Sequence, residues 1–357
     1  MNTKRSFNPA ALCIASTIAC TLASTLLGAC ASTPTQTSAE HETIEKSSKA
    51  SEVIQQVIKD AAMRYRARSV NIRRADGSGI TPWSEVVAEM ASADVILFGE
   101  MHGHPLGLAV AQELFEDILT QRPQTVLAME FYERDQQLIV NDYLSGITDR
   151  PAFDKAANKT PQSNPPGHIR MIDAAKEAGR PVIAGNAPRR YVRKARTDGY
   201  ESLETLSELQ RSMFEIPIGS LEGAYKDRFM ALMSGMGGHS GENIAEGFFR
   251  SQAVWDATMG DSIVDALELG TPVAQVVGYF HIQFGNEPGG SGLIDAIRKR
   301  SDRDLKIVSI IQLARDDQPL FMGTDDQLDD EGNIVEEGED SDLDIATYVV
   351  YVGADED

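Results

Sequence analysis

The sequence predicts an α/β fold in which a mostly parallel sheet is flanked by helices and carries a helical insertion or lid subdomain. Short apolar runs bounded by polar residues, which are typical of buried parallel strands, recur between about residues 94 and 352. Segments with helical apolar spacing separate these runs. One mostly helical stretch, about residues 187–272, is too long for a single crossover and is therefore predicted to be the insertion.

The N-terminal segment has the parts of a secretory signal peptide. Basic residues precede an apolar stretch from about Ala10 to Leu27, and the segment Leu27–Cys30 (LGAC) resembles a bacterial lipoprotein box. We therefore expect a signal peptide over residues 1–29 and a lipidated, flexible tether over 30–51 that begins at Cys30. The body would be held at the inner or outer membrane, in the periplasm or at the cell surface. An ordinary cleaved signal and an uncleaved anchor are the alternatives.

Charge and cysteine content exclude several classes of protein. The chain has 357 residues and a formal net charge of −21, which argues against binding to nucleic acid. No cysteine lies beyond Cys30. A disulfide framework, a zinc ribbon and a cysteine nucleophile are therefore excluded from the body.

The body is predicted to span residues 52–353, beginning with a helix over Glu52–Arg68. A helix after the first strand places Leu106, Val110, Leu114 and Ile118 on one face. A further helix is predicted at about 170–178. The predicted strands are 94–99, 125–131, 181–186, 273–281, 306–313 and 346–352.

An acidic segment interrupts the last part of the body. Residues 325–344 contain eleven acidic residues and no basic one. Part of this segment looks like a calcium loop, but the first and twelfth loop positions are Gln327 and Gly338, where an EF-hand requires acidic ligands. We therefore expect a solvated, mobile excursion.

Polar residues follow the predicted strands where a site is expected. In open α/β sheets, ligands bind beyond the carboxyl ends of the strands. These ends carry Glu100 and His102, Glu130, Arg189 and Arg190, and His281. Two imidazoles and two carboxylates could hold a divalent metal such as zinc or manganese. No His-Glu-x-x-His segment is present, so a zincin helix is ruled out.

The insertion adds two candidate residues on a helix over Asn243–Leu269. Gln252 occupies a gap in the apolar stripe of this helix, and Asp256 follows four residues later. Either Gln252 makes a buried hydrogen bond to a nearby loop, or both side chains point into the pocket. His168 follows a glycine in a predicted loop, so a surface position is expected for it.

Five motifs in order carry a resemblance to a known family. They are Val95–His102, Ala128–Phe131 with Arg134 and Gln137, Gly185–Arg190, Phe249–Met259 and Gly278–His281. Over roughly residues 80–315 the sequence resembles the ChaN-like haem-binding uptake family of the Tiki superfamily, to which erythromycin-esterase-like enzymes are distantly related. The resemblance implies an α/β core with a helical subdomain, a lipid anchor and haem as the cofactor.

The resemblance also implies roles for individual residues. The residues that fall on the pocket motifs are Glu100, His102, Glu130, Gln252, Asp256 and His281, with Arg189 and Arg190 as partners of the haem propionates. Histidine or tyrosinate would bind the iron. A segment that is rich in Trp and Tyr in the family is replaced here, between Asp149 and Ile172, by a segment without either residue type.

We therefore expect a lipid-anchored haem-binding protein of the cell envelope that acts in haem or iron acquisition. The alternative is a metal-dependent hydrolase of peptide or ester bonds, in which Glu100 or Glu130 activates a metal-bound water. A non-enzymatic envelope interaction protein is a third interpretation. The oligomeric state stays open, with a homodimer among the arrangements.

Overall fold

The body is built on an eight-stranded sheet, seen here in a computed structural model. The structure describes residues 38–160, 163–235, 242–314, 327–328, 334–336 and 342–353. The sheet has the order β2-β1-β10-β7-β3-β6-β4-β5. Its strands are β1 (Ile72–Arg74), β2 (Gly79–Thr81), β3 (Val95–Glu100), β4 (Val126–Glu133), β5 (Val182–Asn186), β6 (Val273–Gly278), β7 (Ile307–Leu313) and β10 (Tyr348–Tyr351).

The strands from β10 to β5 in this order pair in parallel, whereas β1 pairs antiparallel with both β10 and β2. The predicted fold class, a mostly parallel sheet with helices and a helical insertion, is confirmed. The β1–β2 hairpin is an addition to the predicted strands. Asp76-Gly77 is the turn signal between these two strands, and Gly77 has a φ of 79°.

The helices are numbered in chain order. They are α1 (Ser38–Ala67), α2 (Trp83–Ala91), α3 (Pro105–Gln121), α4 (Gln137–Leu144), α5 (Arg150–Ala156), α6 (Pro166–Glu177), α7 (Arg189–Asp198), α8 (Glu201–Glu204), α9 (Glu208–Arg211), α10 (Ala224–Gly235), α11 (Glu242–Ala266) and α12 (Gly292–Arg300). No helix within the described residues has the length and apolar character needed to cross a bilayer.

The N-terminal region departs from one expectation. The chain divides into a unit that ends at Ile58 and a body that begins at Lys59. The predicted signal peptide and Cys30 lie outside the described residues. Helix α1 begins at Ser38, inside the segment predicted to be a flexible tether. From Ser38 to Ser51, seven of the fourteen residues are Glu, Lys or Ala, which are strong helix formers, and this composition explains the difference.

The core lies on both faces of the sheet. Along β3, Ile96 and Phe98 pack on one face and Val95 and Leu97 on the other, as the alternation of a strand requires. Helix α3 covers the first face, and its predicted stripe is buried. Helices α11 and α12 cover the second face.

The helices between β5 and β6 form the insertion and have small cores of their own. In α11 the C-terminal part of the apolar stripe is buried, but Ile244 and Phe248 near its start are exposed. Within the acidic segment, β8 (Gln327–Leu328) and β9 (Ile334–Glu336) form an antiparallel pair. Most of the remaining acidic residues lie outside the described part of the chain.

Candidate functional site

The carboxyl ends of β3, β6 and β4 lie side by side in the sheet, and Glu100 is in register with Gly278. This order brings the predicted residues Glu100, His102, Glu130, Gln252, Asp256 and His281 to one region, where they form two hydrogen-bonded groups. We call Glu100, His102 and His168 the His102 cluster. Glu130, Tyr225, Gln252, Asp256 and His281 form the His281 cluster.

A buried carboxylate is the centre of the His102 cluster. Glu100 Oε1 lies 2.9 Å from His102 Nδ1, and Glu100 Oε2 lies 2.5 Å from His168 Nε2. Burial alone would raise the pKa of Glu100, but the hydrogen bonds from His102 and His168 outweigh burial and hold this pKa below its usual value. An ionised carboxylate only accepts hydrogen bonds, so each ring nitrogen facing it donates.

The other ring nitrogen of His102, Nε2, therefore takes no part in the bond to Glu100. Because Nδ1 donates to Glu100, the neutral ring carries its lone pair on Nε2. The side chain is 60% exposed, unlike the rest of the cluster. The hydrogen bond to Glu100 raises the pKa of His102, against the opposing effect of burial. His102 thus presents a basic nitrogen at the edge of the sheet.

The prediction of a surface position for His168 is wrong. Its side chain is only 1% exposed, because α6 begins at Pro166 and places His168 in a buried first turn. The ring packs on Phe131 with centroids 4.2 Å apart, and Phe131 in turn meets His102 edge-on at 5.5 Å.

Most side chains of the His281 cluster are hydrogen-bonded to one another. His281 Nδ1 lies 2.5 Å from Asp256 Oδ1, and the Tyr225 hydroxyl donates to Asp256 Oδ2 at 2.7 Å. Gln252 Nε2 donates to the Tyr225 oxygen at 3.1 Å. Gln252 Nε2 also lies 3.2 Å from His281 Nδ1. Gln252 therefore makes a buried hydrogen bond to Tyr225 on α10, and both Gln252 and Asp256 face the predicted site residue His281.

Glu130 approaches the same cluster from β4. Its Oε2 accepts a hydrogen bond from the Gly278 N–H at 2.7 Å, and its Oε1 lies 3.8 Å from His281 Nε2. Burial lowers the pKa of His281, but the Asp256 and Glu130 carboxylates outweigh burial and raise it to about 9. The imidazole is consequently a cation at neutral pH. Burial also raises the pKa of Tyr225 well above its usual value, so this phenol keeps its proton.

Two glycines allow these side chains to approach closely. A Cβ at Gly278 would lie 2.9 Å from His102 Nε2 and 3.7 Å from the His281 ring, so the two clusters meet above this glycine. A Cβ at Gly292, the first residue of α12, would lie 2.1 Å from Asp256 Oδ2. Larger residues at either position would displace the polar groups.

The predicted propionate partners lie at the start of α7, apart from both clusters. Arg190 Nη1 pairs with Asp135 Oδ2 at 2.6 Å. Arg189 is 87% exposed, and its Nε lies 3.9 Å from Glu133 Oε1. Within the described residues, no hydrogen bond or ion pair joins either arginine to the His102 or the His281 cluster.

Two other residues of the recognised motifs have structural partners. Arg134 donates to Asp261 and to Ser262 on α11, and Gln137 bonds the backbone of Val182 and Ala184 on β5. These residues therefore hold elements together.

Two of the three tyrosines near the site, Tyr132 and Tyr225, do not offer a free phenolate. Tyr132, which follows Glu130 on β4, is fully buried and stacks on Phe153, and burial raises its pKa. Tyr225 is engaged with Asp256. Tyr279 is half-buried beside the site. Among the histidines of the two clusters, His102 is the exposed one, and its Nε2 has no hydrogen-bond partner in the described part of the chain.

A cavity of about 290 Å³ adjoins the His281 cluster from the helical side. It lies between the 217–225 segment, α11 and α12, and its lining includes Tyr225, Phe249, Asp256 and Asp295. This volume is at the lower limit of small-molecule sites, so the cavity suits a ligand smaller than haem.

The predicted divalent metal site has no ligand set in the described part of the chain. No group of three or more His, Cys, Asp or Glu residues there is arranged to hold a metal ion. The imidazoles and carboxylates predicted as ligands are bonded to one another instead.

Comparison with known proteins identifies the family. The sequence model described as "Haem-binding uptake, Tiki superfamily, ChaN" matches residues 86–292, which is more than half of the chain. The chain belongs to this family. No curated protein sequence matches it.

Solved structures are similar at low sequence identity. A structure described as cofacial haem binding to ChaN of Campylobacter jejuni is 14% identical and has a TM-score of 0.55, with 79% of this chain and 96% of that chain covered. An erythromycin esterase in its open conformation is 11% identical, with a TM-score of 0.43 and coverage of 79% and 97%. A Bacillus cereus protein is 12% identical, with a TM-score of 0.41 and coverage of 83% and 97%. The ChaN likeness supports the fold.

Proposed function

We propose that this chain is a lipid-anchored haem-binding protein of the bacterial cell envelope that acts in haem or iron acquisition. Membership of a haem-binding uptake family supports the ligand. The observation that carries the proposal is His102, an exposed imidazole whose Nδ1–H is donated to a buried carboxylate and whose Nε2 is open.

This arrangement is the one expected of a histidine that binds a metal. Such histidines almost always donate their second ring N–H to a carboxylate or carbonyl, which fixes the tautomer and makes the ligating nitrogen more basic. Haem supplies an iron with axial positions and two propionates. His102 would bind the iron through Nε2, and Glu100 would hold the ring.

Phe131 and the arginines of α7 could meet other parts of the haem molecule. Phe131 stands edge-on to the His102 ring and offers an apolar surface. Arg189 is the better propionate partner of the two predicted arginines, because it is exposed and only loosely paired, whereas Arg190 is engaged by Asp135. An exposed haem surface would suit two chains that stack their haems face to face, and cofacial haem binding is described for ChaN of Campylobacter jejuni. We propose such a homodimer for the loaded state.

The function is tested by titrating the purified full-length chain in detergent with haemin. We expect saturable binding of one haem per chain and a Soret band shifted from that of free haemin. Size-exclusion chromatography of the loaded protein should show a dimer. A titration without a specific shift or a saturation point would contradict haem binding.

The envelope location rests on Cys30 and the LGAC segment before it. We expect Cys30→Ser to release the body from membranes in fractionated cells, because the lipid would be lost. Cys20→Ser is the matched control, since Cys20 lies within the predicted signal peptide, and it should leave the protein bound to membranes. Equal membrane association of the Cys30→Ser and wild-type proteins would contradict the lipoprotein assignment.

A hydrolase is the second candidate, and the His281 cluster is the observation that favours it. An imidazole paired with Asp256 and facing Glu130 resembles a general acid–base group, and haem binding does not require it. Metal analysis and an ester substrate panel test this candidate. Stoichiometric zinc or manganese, or turnover lost in His281→Gln, would favour the hydrolase over the haem protein.

A further inference from the structure

We infer that His168 is the positioning residue for the haem ligand: it holds the Glu100 carboxylate in the orientation that fixes His102 with its Nε2 open. This inference rests on the proposed function, since the ligand it positions is His102. It assigns a role to a histidine that the sequence pattern placed at the surface.

The geometry gives Glu100 two different donors. One oxygen accepts from His102 at 2.9 Å, and the other accepts from His168 at 2.5 Å. A carboxylate bound through one oxygen can still rotate about its terminal torsion, which is broad. With both oxygens bound by rings on different elements, rotation would break one bond, so the carboxylate stays turned towards His102.

His168 itself is held by packing. It is fully buried in the first turn of α6, and its ring lies 4.2 Å from Phe131. Gly167 lets α6 approach α3, because a Cβ at this position would lie 2.7 Å from Leu108 Cβ. Among the described residues, the buried Nδ1 of His168 has no hydrogen-bond partner, and the polar contact of the ring is the one to Glu100. An unpaired buried nitrogen lowers stability, so the bond to Glu100 explains the burial of His168 better than core packing does.

The inference is tested first in the haem-free protein. ¹⁵N NMR at a pH where His102 is neutral should show the proton of His102 on Nδ1. In His168→Phe, which keeps an aromatic ring on Phe131 but removes the donor, His102 should become a mixture of tautomers. His168→Gln retains an N–H donor and should restore the single tautomer. A wild-type His102 protonated on Nε2, or an unchanged tautomer in His168→Phe, would overturn the inference.

Haem transfer to an excess of apomyoglobin provides the second readout. Loss of the partner behind a metal-binding histidine typically weakens the metal bond about 10- to 100-fold, so His168→Phe should release haem faster by a factor in this range, and His168→Gln should stay near wild type. Release within twofold of wild type in His168→Phe would overturn the role. His102→Ala separates the two proposals: if it binds haem as wild type does, the ligand assignment fails, while the NMR result still judges His168.

Discussion

The two clusters at the edge of the sheet use the same residue types in opposite ways. In the His102 cluster two imidazoles share one carboxylate, and one ring leaves a nitrogen open at the surface. In the His281 cluster one imidazole lies between two carboxylates, and a phenol and an amide complete the network. The first arrangement leaves a ring nitrogen that can bind another molecule. In the second arrangement the polar groups bond to one another.

The difference follows from the elements that supply the residues. His102 lies two residues beyond the end of β3, and its side chain is 60% exposed. Asp256 and Gln252 come from α11 and Tyr225 from α10, and these helices bury His281. Burial makes a charged network sensitive to the loss of any member, because the remaining charge has no solvent to stabilise it. The His102 cluster can lose its exposed ring at a smaller cost to folding, because Glu100 keeps its bond to His168.

The largest expected effect is on stability. His281→Leu should lower the free energy of unfolding by about 3–5 kcal/mol, because Asp256 then keeps a buried charge without its partner. His102→Leu should cost less, about 1–2 kcal/mol, because Glu100 loses one of its two donors but keeps its bond to His168. Urea denaturation followed by circular dichroism measures both. Similar losses in the two variants would refute the contrast between the clusters.

The second effect is a dependence of stability on pH. The folded pKa of His281 is raised from 6.5 to about 9, so its contribution, on the order of 3 kcal/mol, is fully present below pH 6.5 and is lost as pH rises through 9. Urea denaturation between pH 6 and about 10 measures this loss. Asp256→Asn removes the carboxylate charge nearest to His281 and should therefore make the free energy of unfolding depend less on pH. The dependence that remains comes from His102, whose contribution is smaller because it is more exposed. A wild-type curve as flat as that of the variant would show that His281 is not held as a cation.

The sequence predicted the parallel strands and the residues at their ends, because short apolar runs and the geometry of parallel sheets are local signals. His168 was missed because its helix was predicted to begin at about residue 170. The available signal was Pro166, a proline favoured at the first position of a helix, which places His168 on the same buried face as Met171 and Ile172.

Tyr225 had no comparable signal. Its role depends on the tertiary pairing of α10 with α11, and its helix has no periodic pattern that sets this residue apart. The hairpin of β1 and β2 was missed because each strand has only three residues, too few for a period to be read. The sequence therefore locates the site at the sheet edge, but tertiary contacts decide which groups are open and which are closed.

The smallest expected effect concerns the arginines of α7. Arg189→Ala should weaken haemin binding by about 1 kcal/mol, roughly fivefold, because an exposed ion pair contributes little. Arg190→Ala should change the affinity less than about twofold, since Arg190 is already paired with Asp135 at 2.6 Å. Haemin titration of the two single variants measures this difference. A larger effect from Arg190→Ala would reverse the assignment of the propionate partner.

The most direct test of the proposal that His102 binds the haem iron is the absorption spectrum of haemin bound to His102→Ala, recorded with and without added imidazole. Wild type and His281→Gln should both show a histidine-ligated haem. We expect His102→Ala to lose this spectrum and to regain it when imidazole is added, because free imidazole can replace the missing side chain at the iron. A His102→Ala spectrum identical to that of wild type would contradict the account, and loss of the spectrum in His281→Gln alone would place the ligand in the other cluster.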